Sequence, residues 1–256
     1  MTLPDGTMEI RPLHGLGEIR PGDDLGERLL AALQQAGLHL EEGDIVVVTQ
    51  KVVSKAENRL VDLGTVKPSP LAKAWAEEWG KDSRQVEVVL RESRRVVRMD
   101  RGVIIAETRH GFVCANAGVD ASNIAGGNVV SLLPCDPDAS AAALRKTLEA
   151  PSGVRVGVIV SDTFGRPWHE GQVNVAIGAA GVEVLHRYQG QLDPYGYELR
   201  VTEIATADEL AAAAELVMGK TEGVAAVLVR GLGWAIVATG EGAASLVRHQ
   251  DKDLFR

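Results

Sequence analysis

Residues 158–172 of the sequence read VIVSDTFGRPWHEGQ, and this stretch decides how the chain is interpreted. Three apolar residues with a strong preference for strands, Val158 to Val160, run directly into a polar segment rich in turn formers. We predict a buried strand whose carboxyl end brings several polar side chains to one place, as at the ligand sites of α/β proteins. These side chains belong to Asp162, Thr163, Arg166, His169 and Glu170.

The residue types in this segment favour binding of a cation and an anion together. A carboxylate beside a hydroxyl, as at Asp162 and Thr163, suits a hard cation such as Mg²⁺ or Mn²⁺. Arg166 suits a phosphate or a carboxylate. The alternative is structural: Asp162 and Thr163 cap a helix, and Arg166 is solvated.

The composition indicates an ordinary globular protein. The chain has 256 residues, of which 45% are hydrophobic and 24% charged. A formal net charge of -8 argues against nonspecific binding to nucleic acid. The N-terminus lacks the apolar core of a signal peptide, and no stretch is long and apolar enough to span a membrane. We therefore expect a cytoplasmic protein without nucleic-acid or membrane partners.

The two cysteines, Cys114 and Cys135, belong to no CxxC pair, which excludes a zinc ribbon. Incidental thiols in a reduced protein are the favoured interpretation, with a disulfide between them as the alternative.

Apolar periodicity and cap residues predict the secondary structure. We expect a helix that is capped by Asp23 or Asp24, runs to about Ala36 and stops at Gly37. We also expect strands over 85–90, 95–99 and 103–107, and a helix over 139–150 capped by Asp138. The remaining predictions are strands over 44–50, 154–160, 173–181 and 224–229, and helices over 68–79, 208–218 and 241–248. Helix and buried strand alternate at the start, which predicts an α/β layer. The region at about 85–135 is richer in strands, which predicts an inserted subdomain.

Three further segments carry polar groups suited to a phosphorylated ligand. Residues 13–17 form a glycine-rich turn, although GxG alone is weak evidence for phosphate binding. Gln50, Lys51, Ser54 and Lys55 follow a predicted buried strand. Gly219-Lys220-Thr221 resembles the end of a P-loop, but Ala214 stands where that motif needs glycine, so a P-loop NTPase is excluded.

The candidate oxygen ligands predict metal-assisted phosphoryl transfer. Asp120, Asn123, Asp162 and Thr163 supply oxygens from separate segments, and Mg²⁺ prefers one or two carboxylates together with substrate phosphates. Lys55 and Arg166 would offset the charge of a phosphate or carboxylate.

Two long motifs resemble the coenzyme F420-0:γ-glutamyl ligase family. They are residues 111–123 (GFVCANAGVDASN) and 161–168 (SDTFGRPW). Residues 49–57 (TQKVVSKAE), 217–220 (VMGK) and 229–231 (VRG) are similar to further motifs of that family. The resemblance covers nearly the whole chain, and the first two motifs are unusual enough to be specific.

The resemblance implies a GTP-dependent ligase that joins L-glutamate to F420-0 through γ-glutamyl amide bonds. It implies an α+β fold of mixed sheets and helices, with two interleaved subdomains and a β-rich central part, and a homodimer. Residues 1–256 would form a single ligase unit, either the stand-alone form of the family or an isolated ligase domain.

The resemblance also implies roles for individual residues. Asp120, Asp162 and Thr163 match positions for Mg²⁺ or Mn²⁺, expected as two ions, with K⁺ as a further candidate. GTP contacts fall on Leu13, His14, Gly15, Leu16, Gln50, Lys55 and Asn123. Residues 218–224 would lie along the nucleotide, where Lys220 has only its backbone carbonyl to offer a metal. We assign Arg166 and His169 as catalytic candidates that hold a substrate carboxylate.

Two other functions stay open at this point. The same aspartates would serve a metal-dependent phosphohydrolase that acts on a nucleotide or a phosphorylated small molecule. In a noncatalytic nucleotide-binding module, Asp120 and Asp162 would be turn and cap residues.

Overall fold

The computed structural model describes residues 6–121 and 127–254. The strands are β1 (Glu9–Leu13), β2 (Ile45–Thr49), β3 (Leu60–Asp62), β4 (Ser93–Asp100), β5 (Val103–Thr108), β6 (Val113–Ala115), β7 (Val129–Ser131), β8 (Gly157–Arg166), β9 (His169–Ala180), β10 (His186–Arg187), β11 (Glu203–Ile204) and β12 (Ala226–Arg230). The helices are α1 (Leu25–Gln35), α2 (Gln50–Ala56), α3 (Pro70–Trp79), α4 (Ser83–Glu92), α5 (Pro137–Ser152) and α6 (Thr206–Met218). Mixed sheets packed with helices confirm the predicted α+β class.

A five-stranded sheet in the order β1-β12-β2-β8-β9 forms the centre of the fold. β2 and β8 run parallel, and the other neighbours are antiparallel. Alternate residues of β2 enter different apolar clusters, with Val46 among residues of α1 and α5 and Ile45 among residues of α6. Because both faces are covered, β2 reads in sequence as a continuous apolar run.

A second sheet, β4-β5-β6, belongs to the central part of the chain, together with α3 and α4. The strands predicted over 95–99 and 103–107 are confirmed, but the strand predicted over 85–90 is wrong because these residues lie in α4. Asp82 caps that helix by accepting from the Arg84 N–H, and Val86 and Val89 lie one turn apart on its buried face. The β-branched residues suggested a strand, whereas their spacing had the helical period. The subdomain over about 85–135 stays a prediction.

The cap predicted at Asp138 is wrong. Asp136 caps α5, and its carboxylate accepts from the Ala139 N–H. The Asp138 Oδ1 atom instead accepts from the N–H groups of Ala179 in β9 and Ala243 near the C-terminal end, at 2.8 and 2.7 Å. Asp138 therefore ties three distant segments together, which no local pattern could reveal.

Several predicted element boundaries shift in the structure. α6 begins at Thr206, two residues before Asp208, whose carboxylate accepts from the Ala176 N–H. The last predicted helix is a short 3₁₀ turn, Ala243–Leu246. No helix within residues 6–121 or 127–254 has the length and apolarity needed to cross a membrane.

Candidate functional site

The predicted site residues gather mainly at one edge of the central sheet. Thr49 of β2 pairs with Ser161 of the parallel strand β8, so Gln50 and Asp162 both follow that pair at the same edge. β12 runs antiparallel to β2, and β1 antiparallel to β12, which brings the end of β1 at Leu13 to this edge as well. Four segments that are distant in sequence therefore converge at the carboxyl end of the parallel pair.

Asp162 is the most strongly perturbed carboxyl group at this edge. Its Oδ1 atom accepts a 2.8 Å hydrogen bond from the Thr163 N–H. Loss of hydration raises the pKa of Asp162 to about 7, and the nearby charge of Asp120 acts in the same direction. Lys51 and Lys220 oppose the rise in this pKa, although no lysine or arginine of the described chain forms an ion pair with Asp162. A carboxyl group with a shifted pKa among charged neighbours is typical of a functional site.

Asp120 lies on the segment that follows β6, close enough for its charge to act on Asp162. Its backbone exchanges two hydrogen bonds with Ser131, and its Oδ2 atom lies 2.7 Å from the Lys51 Nζ atom. The rings of Phe112 and Phe164 meet edge to face at 6.1 Å, which packs the segment against β8. The motif over 111–120 and the motif over 161–168 therefore form one unit.

The two carboxylates fit a divalent cation. Asp120 and Asp162 repel each other, since the charge of Asp120 raises the pKa of Asp162. A cation between them would turn this repulsion into attraction, and Mg²⁺ takes one or two protein carboxylates with water and phosphate oxygens completing its shell. Within the described ranges, no group of three or more His, Cys, Asp or Glu residues forms a full protein cage.

Thr163 belongs to a polar chain that the sequence did not reveal. Its Oγ1 atom lies 2.7 Å from the Asn174 Oδ1 atom of β9 and accepts a 2.8 Å hydrogen bond from the Lys220 Nζ atom. The same Nζ atom lies 2.7 Å from the Glu215 Oε1 atom, near the end of α6. Lys220 thus contacts Thr163 through its ammonium group, although its backbone carbonyl was the expected contact to a metal.

The predicted nucleotide residues on α2 are buried or paired. Gln50 is 2% exposed, and its Oε1 atom accepts from the Ser54 hydroxyl at 2.8 Å. The Lys55 side chain is largely enclosed, with its Nζ atom 2.7 Å from the Glu18 Oε1 atom. Lys55 is therefore held by an exposed carboxylate that a phosphate could replace.

The turn after β1 offers backbone and small groups to a ligand. Leu13 and Leu16 are buried in the core, whereas His14 and Gly15 between them are exposed. Gly15 has φ of +86°, a backbone conformation that favours glycine. Asn123 falls outside the described residues.

Arg166 and His169 do not lie beside Asp162, contrary to the expectation that one strand end brings these residues together. β8 continues to Arg166, and Arg166 pairs with His169 at the exposed tip of the β8–β9 hairpin. Arg166 lies four positions after Asp162 along the strand, which places their backbones roughly 13 Å apart. The Arg166 Nη2 atom donates to the Glu170 carbonyl at 2.5 Å. The roles of Arg166 and His169 stay predictions.

Sequence reasoning gave no role to Asn174 or Glu215. It placed Lys51 only among the polar groups suited to a phosphorylated ligand, and it expected Lys220 to offer only its backbone carbonyl. Lys51 had a usable signal, since it follows a buried strand and precedes Lys55 by one helical turn. Asn174 and Glu215 had none, because their contact with the site depends on how β9 and α6 pack.

Comparison with known proteins identifies the family of this chain. The sequence pattern of the family described as F420-0:Gamma-glutamyl ligase matches residues 15–231, which include all four converging segments apart from the first residues of the β1 turn. The chain belongs to this family. The matched range includes residues 111–123 and 161–168, which contain Asp120 and Asp162.

Individual relatives match over nearly their full length. The coenzyme F420:L-glutamate ligase of Methanopyrus kandleri is 49% identical over 254 residues, covering 98% of each chain. The protein of the same name from Methanothermobacter thermautotrophicus is 45% identical over 245 residues, covering 95% of this chain and 97% of its own. The one from Methanocaldococcus jannaschii is 43% identical over 233 residues, covering 90% and 92%.

Proposed function

We propose that the protein is a GTP-dependent ligase that joins L-glutamate to F420-0 through γ-glutamyl amide bonds, by way of an acyl phosphate. The observation that carries the proposal is the pair Asp120 and Asp162, whose charges interact. Asp162 follows the residue of β8 that pairs with the end of β2, and both aspartates lie within the range matched by the family. The names of the relatives support F420 and glutamate as substrates.

The chemistry requires an activated carboxyl group. A carboxylate is a poor acyl donor because oxide would have to leave. Transfer of the GTP γ-phosphate to the F420-0 carboxylate gives an acyl phosphate and GDP. The α-amine of glutamate then attacks the acyl carbon and phosphate leaves, so that one amide forms for each GTP consumed.

Asp120 and Asp162 would hold Mg²⁺ or Mn²⁺. When bound, such an ion offsets charge on the phosphate oxygens during transfer. Lys55 stabilises phosphate charge after giving up Glu18, and Lys51 limits the repulsion between the two aspartates. The 13–16 turn and Gln50 border the same edge and contact the nucleotide through backbone and amide groups.

Product analysis tests the proposal. The protein is incubated with GTP, Mg²⁺ or Mn²⁺, L-glutamate and F420-0, and the products are analysed by mass spectrometry. We expect F420-0 to gain glutamyl residues and GDP to appear in equal amount. Asp162→Asn and Asp120→Asn are expected to lower the rate at least roughly a hundredfold, since both carboxylates serve one charged step.

The other outcomes decide between the alternatives. Phosphate release without glutamate addition would support the phosphohydrolase, for which the same two carboxylates would activate water. Turnover that is unchanged in both aspartate variants would contradict the assignment of the site. The homodimer, the K⁺ ion and the cytoplasmic location stay predictions.

A further inference from the structure

The ammonium group of Lys220 lies where a cation would bind. Its Nζ atom is 2.8 Å from the Thr163 Oγ1 atom and 2.7 Å from the Glu215 Oε1 atom. Because the Thr163 hydroxyl lies 2.7 Å from the Asn174 Oδ1 atom and can donate its proton there, an oxygen lone pair is left toward Lys220. A hydroxyl lone pair and a carboxylate are the oxygen ligands that hard cations take.

Glu215 adds an independent sign that this place is built for positive charge. Its Oε2 atom is buried and accepts no hydrogen bond from the described part of the chain. A buried carboxylate oxygen without a partner is costly, and a neighbouring cation is what offsets that cost. Lys220 supplies that charge from the end of α6 through the other oxygen of the same carboxylate.

We propose that Lys220 is a built-in cation that closes the Thr163–Glu215 side of the site to a metal ion. Its ammonium engages the Thr163 Oγ1 atom, which was expected to hold a metal, together with the Glu215 Oε1 atom beside it, and a second cation cannot share these oxygens. The site then takes one divalent ion, on Asp120 and Asp162, instead of the two expected from the family resemblance. The inference rests on the proposed function only for the metal-binding role of these two aspartates.

Counting bound Mn²⁺ tests this inference without turnover. The full chain is titrated with Mn²⁺, alone and with a non-hydrolysable GTP analogue, and free Mn²⁺ is followed by electron paramagnetic resonance. We expect one Mn²⁺ per chain for the wild type and two for Lys220→Gln, which frees Thr163 and Glu215. Lys220→Arg keeps the charge and is expected to bind one. Lys220→Gln combined with Glu215→Gln removes the carboxylate that Lys220→Gln releases, and this double variant is expected to bind one Mn²⁺.

The count separates this inference from the proposed function. Two Mn²⁺ ions on the wild type, none on it, or one on a Lys220→Gln variant with an unchanged circular dichroism spectrum would overturn the role of Lys220. Failure of the wild type to add glutamate would overturn the proposed function, whatever the Mn²⁺ count.

Discussion

The Asp162 carboxyl loses hydration on folding, and among the described residues the main chain compensates with one hydrogen bond, from the Thr163 N–H. Its pKa rises from 3.8 to about 7, so the carboxyl stays protonated in the folded, metal-free chain at pH values where it ionises in the unfolded chain. The folded state therefore loses stability as the pH rises from about 4 to about 7, and the loss is complete above that range. Divalent metal would reverse this loss by binding the ionised form.

Asp162→Asn should remove this pH dependence. In the presence of EDTA, we expect Asp162→Asn to stabilise the protein more at pH 8 than at pH 5. The effect of the substitution on the free energy of unfolding should differ by about 1–3 kcal/mol between the two pH values. The pKa of this carboxyl also responds to the charges of Asp120, Lys51 and Lys220. Urea unfolding at the two pH values measures the difference. An equal effect of the substitution at both pH values would mean that Asp162 is ionised in the folded protein throughout.

Lys55 and Glu18 offer a matched pair of variants. Lys55→Met keeps the apolar stem but removes the charge that would meet a phosphate, so we expect the Michaelis constant for GTP to rise at least roughly tenfold. Glu18→Gln releases Lys55 from its 2.7 Å ion pair, so we expect that constant to stay within about twofold of the wild type or to fall. Steady-state kinetics with GTP as the varied substrate measures both. Equal losses in the two variants would show that the ion pair, and not the lysine charge, matters.

At the scale of elements, the β8–β9 hairpin is what sequence patterns described least well. Val158 to Val160 predicted the buried half of β8 because it is apolar and β-branched. The turn formers after it suggested a loop, yet Thr163 and Phe164 pair with Asn174 and Val173 as a regular ladder. The paired residues of β9 lie nine and eleven residues further along the chain. The local sequence around Asp162 therefore could not predict this pairing.

In the rest of the fold, too, the features with local sequence signals were predicted, and those that depend on tertiary packing were not. α1 was predicted closely because its signals are local: Asp24 caps it and Gly37 follows its end with φ of +66°. The motifs bearing Asp120 and Asp162 were predicted, and so was the segment that contains Lys220. The contact of the Lys220 ammonium with Thr163 was not predicted, because only the packing of α6 against β8 and β9 brings the two side chains together.

The β8–β9 hairpin places its tip away from the aspartates, and kinetics can test whether the tip binds a substrate. Arg166→Ala should raise the Michaelis constants for glutamate or F420-0 at least roughly fivefold if the tip holds a carboxylate, with little change in the constant for GTP. His169→Ala tests the paired position on β9. Unchanged constants for both acceptor substrates in the Arg166→Ala variant would remove the tip from the site.

At the scale of the whole molecule, the two ends of β2 have different tasks. The carboxyl end leads to Gln50 and the site. At the other end Asp44 is fully buried, and Arg230 donates to its two oxygens at 2.8 and 2.7 Å. This carboxylate raises the pKa of Arg230. The ion pair joins β2 to β12 away from the chemistry.

Arg230→Met should therefore affect stability and spare turnover. Removing one partner of a buried ion pair leaves Asp44 uncompensated, and we expect a loss of about 3–5 kcal/mol in the free energy of unfolding. The double variant Asp44→Asn, Arg230→Met should recover part of that loss. Urea unfolding gives the free energies, and glutamate addition per folded molecule should match the wild type. A fall in turnover without a fall in stability would place Arg230 in the function instead.

The central claim is that the site transfers a GTP phosphate to a substrate carboxylate and not to water. F420-0 labelled with ¹⁸O in its carboxylate is converted with GTP and glutamate, and the released phosphate is examined by mass spectrometry. We predict one ¹⁸O atom in phosphate for each amide bond formed at the labelled carboxylate. Phosphate without ¹⁸O, which has taken its new oxygen from water and none from the carboxylate, would contradict the account.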